Sequence, residues 1–200
     1  MSGEIYSVGY SAYGKPEELI AALKGKGVKV LADIRTSPFS AIYPQYNREN
    51  IKNICTENGI LYRYFGNELG ARREDRSFLT DGQVDFEKIA KTKSFRDAIV
   101  KIIEYAEKDK KPCLFCAEKD PITCHRSILI GRYLAMAGHE TNHLINGGSV
   151  EKQSDLEDRL VNKWFKDRDQ LSMFSDREMC ELILGAYRKQ NKEIGYKPKD

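Results

Sequence analysis

Two hundred residues, 40% of them hydrophobic, suffice for one domain with its own core. A chain of this size hides roughly 70% of its unfolded surface on folding and needs no disulfide or metal as a staple. Thirty-three basic and thirty acidic side chains leave a net charge of +3 with no long run of one sign, so charge alone demands no polyanion partner. Nowhere do eighteen apolar residues run together, which excludes a membrane-spanning helix and a membrane partner of that kind. Five cysteines, an odd number, with no charged and apolar leader over residues 1–10, read as reduced thiols of a cytoplasmic protein.

In chain order, Ile5–Val8 reads as a first strand and Lys15–Lys26 as a helix, with Pro16 in its first turn and Gly27 behind it. Val28–Ile34 is near-continuously apolar, as for a strand covered on both faces. Asn47 caps a helix with Ile51, Ile54 and Cys55 at three-and-four spacing that ends at Gly59, and Ile60–Phe65 supplies a third strand. From Gly66 to Gln83 no periodicity survives, and a long surface loop is expected. Ser94 caps an amphipathic helix carrying Phe95, Ile99, Ile102, Ile103 and Ala106. Pro112–Ala117 is the next strand, Cys124–Ala137 the next helix, stopped by Gly138, and Glu140–Ile145 a last short strand. After Gly147-Gly148 come two helices, each introduced by a capping box, Ser154 with Glu157 and Ser175 with Glu178. Lys189–Asp200 is polar and expected to fray.

Strands alternating with helices predict an α/β fold: a mostly parallel open sheet with helices on both faces, a Rossmann-like three-layer arrangement joined by right-handed crossovers, plus the C-terminal helices. The division expected is a core domain of residues 1–148 and a helical extension of residues 149–200 packed on it.

In such a sheet ligands lie outside the carboxyl ends of the strands. The segment Cys116-Ala-Glu-Lys-Asp-Pro-Ile-Thr-Cys-His-Arg126 runs from a strand end, through a turn at Asp120-Pro121, into a helix start, where free N–H groups and the helix dipole favour an anion. His125 and Arg126 add positive charge. A thiolate is favoured there, so Cys124 is the first candidate nucleophile and Cys116 the second; the alternative is that both thiols merely pack. Cys113 and Cys116 also spell C-x-x-C, which with Cys124 and His125 suggests zinc. Residues three apart on a strand point to opposite faces, so Cys113 is expected in the core and no metal is assigned. Asp33 and Arg35 share a face at the end of the second strand: Arg35 could hold an anion and Asp33 could orient His125 or take a proton, or the two could form a local ion pair. Ser37, Glu118 and Lys119 line the same edge as candidate substrate-binding groups. Arg72 and Arg73 could close over an anionic ligand, though they alternate with acids as in a solvated loop. Tyr43, Tyr46, Tyr62 and Tyr64 could stack on bases or fill the core.

The chain resembles the bacterial and archaeal domain-of-unknown-function family 488. The resemblance rests on Ser7-Val-Gly-Tyr-Ser11, Asp33-Ile-Arg35 with Ser37-Pro38, Pro44-Gln-Tyr-Asn47, Glu68-Leu-Gly70 with Arg72-Arg73, and above all Cys116 to Arg126, and spans roughly residues 4–146. It implies a fold and a site, with no established reaction; the family usually has a histidine where this chain has Tyr10. The residues then support a cysteine-dependent hydrolase or transferase for a small anionic ligand or nucleotide, in which Cys124 or Cys116 attacks, Arg35 and Arg126 bind substrate and His125 or Asp33 moves a proton. The alternatives are a nucleotide- or nucleic-acid-binding module using Arg35, Arg72, Arg73 and Arg126, and a zinc-stabilised domain. No cofactor is implied.

Overall fold

The structure, a computed structural model, describes residues 3–145, 148–165 and 176–198. Ile5–Gly9 forms β1, Pro16–Gly25 α1, Val30–Asp33 β2, Arg48–Glu57 α2 and Leu61–Tyr64 β3. Pro16 opens α1 because its missing N–H is one that a helix start leaves unpaired anyway, and Gly27, at φ +71°, turns the chain back toward β2. Gly66–Leu69 forms the short α3, Leu79–Thr80 β4, Gln83–Val84 β5, Phe86–Ala90 α4 and Lys93–Glu107 α5. Pro112–Cys116 is β6, followed by a π-helical turn at Arg126–Gly131 that continues as α6, Arg132–Met136. Thr141–Leu144 is β7, Val150–Lys152 β8, Gln153–Trp164 α7 and Asp176–Ile194 α8.

Six strands make one sheet in the order β3-β2-β6-β1-β7-β8, parallel except for β8, which runs antiparallel to β7. The helices α1 and α2 cover one face through Leu19, Leu23, Ile51 and Cys55. On the other face α5 and α6 pack through Phe95, Ile99, Ile102 and Leu134, joined by Leu156 and Leu160 of α7 and Tyr187 of α8. This is a three-layer α/β fold, and the segment after residue 148 contributes an edge strand as well as helices. In register, Gly9 pairs with Cys116 and Asp33 with Phe115, so β1, β2 and β6 end at one edge.

Several local expectations are corrected. Residues 66–84 are not a bare loop: β4 and β5 form a hairpin turned by Asp81-Gly82, both at positive φ, the geometry that a two-residue Asp-Gly turn supplies. Asn47 stands at the start of α2, but its side chain accepts from Ser40 N–H (2.6 Å) and ties down the preceding loop. Thr92, not Ser94, caps α5 by accepting from Phe95 N–H (3.2 Å). The helix expected over 124–137 begins as a π-helical turn. Ser154 lies inside α7, and Glu157 accepts from Tyr187 OH (2.7 Å) rather than serving a cap; Ser175 lies outside the described residues. The chain end does not fray where expected, because Tyr196 O accepts from Val84 N–H (2.9 Å) and Gly195 O from Gln83 Nε2 (2.7 Å). Among the described residues no helix is long and apolar enough to cross a membrane.

A buried polar chain ties β1, β7, α7 and α8 together. Ser7 Oγ bonds His143 Nδ1 (2.6 Å), His143 Nε2 bonds Gln153 Oε1 (2.8 Å), and Gln153 Nε2 donates to Tyr187 OH (2.7 Å). Burial, aided by the Arg126 charge, holds His143 down to about 3. The unfolded chain binds a proton there near pH ~6.5 and the folded one refuses it, so the stability present at neutral pH is lost as pH falls through that window toward 3. A His143→Asn variant is expected to be less stable at neutral pH but to lose less stability on acidification. Urea midpoints of both proteins at two pH values within the window check this, and parallel losses would contradict it.

Candidate functional site

Three strand ends meet at this edge, and the loop after β6 folds back across them. Its course is set by Gly9. A Cβ there would lie 1.7 Å from Glu118 O and 2.9 Å from an Arg126 side-chain nitrogen, so only glycine lets the loop cross the end of β1. The Arg126 guanidinium, fully buried, then holds the loop from beneath, donating to Glu118 O through Nη1 and to Lys119 O through Nη2 (3.1 Å). Farther along, Asp120 accepts from Ile122 N–H (3.1 Å), and Cys124 N–H donates to Pro121 O (3.0 Å), which closes the turn ahead of Cys124.

The outcome is a cluster of four side chains. Cys116 Sγ lies 2.9 Å and Cys124 Sγ 3.1 Å from Glu118 Oε2, and each sulfur is 3.8 Å from His125 Nδ1. The ligand atoms of Cys116, Cys124 and His125 lie within 4.8 Å of one another, the donor set of a soft metal ion. His125 Nε2 is 3.1 Å from Ile34 O, so it carries the proton and turns Nδ1 toward the sulfurs. Cys113, as its strand position requires, is buried in the opposite core layer and takes no part.

The charges of the cluster depend on one another. Burial pushes the Cys116 thiol well up, and Cys124 and Glu118 push it the same way. Burial also raises Cys124, but the Cys116 thiol donating to it, with Arg126 and His125 close by, brings it below the ordinary thiol value. Burial would raise Glu118, yet its two thiol donors and His125 hold it down at about 2. His125, which burial alone would lower, is raised by Cys124 and Glu118. The Glu118 carboxylate thus accepts from both thiols, and of the two sulfurs Cys124 is the one that gives up its proton more readily.

A cavity of about 380 Å³ opens onto this cluster, bordered by Cys116, Glu118 and His125 inside and by Phe39, Arg72 and Tyr196 farther out. Cys116, ranked second from the sequence, borders it; Cys124, 1% exposed, lies behind. Ser37 and Arg35 also line the cavity. Arg35, however, gives its donors to Asp33 (2.6 and 2.8 Å) and to Tyr46 O (2.9 Å), beneath the faces of Tyr10 and Phe115. Asp33 is fully buried and bound to Arg35 and to Tyr62 OH (2.7 Å), so the ion-pair reading holds and it does not orient His125, a task that falls to Ile34 O. Arg126 and Arg73 are likewise engaged with backbone carbonyls, Arg73 with those of Asn67 and Glu68, and Lys119 borders a separate depression beside Asp120. The exposed Arg72 lies over the Tyr196 ring (5.8 Å). Tyr46 is buried and stacked on Tyr10 (4.8 Å), so it offers no face to a base.

Sequence reading missed Phe39 and Tyr196 as walls of the cavity. Phe39 followed the Asp33-Ile-Arg35 motif and was a findable signal; Tyr196 sat in a stretch whose polarity suggested fraying. The family model described as Domain of unknown function DUF488 matches residues 15–133, a shorter span than the motifs suggest, leaving out the stretch with Tyr10 and including Cys116 to Arg126. No curated protein and no solved structure matches the chain significantly.

The loop's dependence on Gly9 yields a direct expectation. Gly9→Ala forces Glu118 O to move and should destabilise the fold by about 1–3 kcal/mol, in the range of other overpacked sites. Chemical denaturation of this variant measures it, and an unchanged midpoint would show that the loop is not gripped there.

Proposed function

The chain belongs to the DUF488 family, and because that family carries no assigned reaction we propose one from the site itself: a thiol-dependent enzyme, hydrolase or transferase, acting on a small phosphorylated or nucleotide-like anion. The observation that carries this reading is one cavity bordered at once by Cys116, His125 and Arg72. Cys116 Sγ is the attacking atom. The Cys124 sulfur behind it, which gives up its own proton more readily, takes the Cys116 proton as the new bond to the substrate phosphorus forms, and the protonated His125, its Nδ1 3.8 Å from Cys116 Sγ, gives a proton to the leaving oxygen as its bond to phosphorus breaks.

Arg72 supplies charge at the mouth of the cavity, where an anion arriving from solvent meets it first. Ser37 offers a neutral donor on the same wall. Arg35 acts indirectly, as half of a buried ion pair that stiffens the wall, and Arg126 holds the loop that carries Glu118. The nucleic-acid reading is weakened by the same facts, since three of its four arginines are committed to groups of the chain itself. Aromatic Phe39, 70% exposed at the rim, suits a ligand with a flat ring beside its anionic group.

Timed alkylation with iodoacetamide, mapped by peptide mass spectrometry, tests the reading. Among the four buried cysteines, Cys116 is expected to react at least ten times faster than Cys55 or Cys113, and inorganic phosphate should slow it. His125→Ala should lower the Cys116 rate, and Arg72→Ala should abolish the phosphate effect while leaving the fold intact. Equal rates for Cys116 and Cys113 would sink the reading.

A further inference from the structure

The four side chains of the cluster have a second use that does not depend on a substrate. We propose that Cys116, Cys124 and His125 form a binding site for one soft divalent cation of the zinc type, with the Glu118 carboxylate beside the two sulfurs. This goes beyond the thiol reading and competes with it for the same atoms, because a cation held here occupies both sulfurs.

The donor geometry points that way. Tetrahedral bonds of about 2.3 Å to sulfur and about 2.0–2.1 Å to nitrogen separate sulfur and nitrogen ligands by roughly 3.6 Å. Both sulfurs stand 3.8 Å from His125 Nδ1, and the three atoms fall within 4.8 Å of each other. Glu118 Oε2, 2.9 and 3.1 Å from the two sulfurs, lies outside this set of three, so the chain supplies three ligands and leaves the fourth position open.

The surroundings are built as a ligand shell is usually supported. A metal-bound histidine commonly donates its remote N–H to a carbonyl, which fixes the tautomer, and His125 Nε2 has Ile34 O at 3.1 Å for this purpose. Arg126 N–H points at Cys124 Sγ (3.4 Å), a hydrogen bond that stabilises a thiolate. Two sulfurs and an imidazole are the soft and borderline donors that favour zinc over magnesium or calcium. The C-x-x-C spelling is incidental, since Cys113 faces the other core layer; the set is Cys-x7-Cys-His, which no spacing rule for zinc would have picked out. On binding, the protons still held by Cys116, Cys124 and His125 Nδ1 pass to solvent and the cation takes both sulfurs and that nitrogen, with no change of oxidation state.

The test uses the full chain carrying Cys180→Ser, to remove the exposed thiol, stripped with chelator and then dialysed against Zn²⁺ or Co²⁺. One equivalent of metal retained per chain is expected, and Co²⁺ should give the intense visible bands of tetrahedral thiolate coordination. Cys124→Ser or His125→Ala should weaken retention at least tenfold, with circular dichroism verifying that the variants fold; if one does not, loss of the sulfur-to-cobalt band on alkylation of the parent chain serves instead. No retained metal, or retention unaffected by both substitutions and by alkylation, would overturn the proposal. The chelated chain's alkylation pattern reports separately on the thiol reading: slow Cys116 with tight metal defeats only that reading, and fast Cys116 with no metal defeats only this one.

Discussion

A guanidinium sealed inside the protein organises everything around it. Arg126 is fully buried, and its terminal nitrogens are spent on the carbonyls of Glu118 and Lys119. A buried charge is costly unless acceptors and negative charge surround it. The answer is the cluster beside it: Cys124 is shifted toward thiolate in part by Arg126, and His143 is kept neutral in part by it. Gly9 makes the arrangement possible by leaving room for the loop and for the guanidinium together.

The alternation of faces along β6 decides which cysteine does what. Cys113 and Phe115 enter the layer beneath α1 and α2, while Leu114 and Cys116 enter the layer shared with α5 and the C-terminal helices. The sulfur at the strand end is therefore the one that meets a cavity. Its partner eight residues on comes to the same place only because Asp120, Pro121 and Thr123 turn the chain tightly enough. Glu118, two residues after Cys116 and six before Cys124, lies against both sulfurs, and its carboxylate adds the negative charge that a proton or a cation would meet there.

Much of the layout could be read from residue order. The alternation of apolar strands with capped helices, Gly27, Gly59 and Gly138 at positive φ, and the opposite facing of Cys113 and Cys116 all follow from local chemistry. The site was legible in part: Cys116, Cys124 and His125 stand together as their motif suggested. What escaped was set by distance in space. Nothing near Asp33 in the chain says that Tyr62 and Arg35 will satisfy it, or that Ile34 O will orient His125 instead. Tyr196 reaches the cavity because the β4–β5 hairpin captures the backbone after α8, an attachment between segments more than one hundred residues apart. The Asp81-Gly82 turn that builds the hairpin was a local signal, masked by the polar sequence on either side of it.

Cys116, backed by Cys124, Glu118 and His125, opens onto a cavity at the strand ends. X-ray diffraction from crystals soaked in an organic mercurial tests this most directly. Anomalous density is expected beside Cys116, on the cavity side of its sulfur, with none at Cys55 or Cys113. Density at the surface residue Cys180 alone would mean that the Cys116 sulfur is closed off from the cavity.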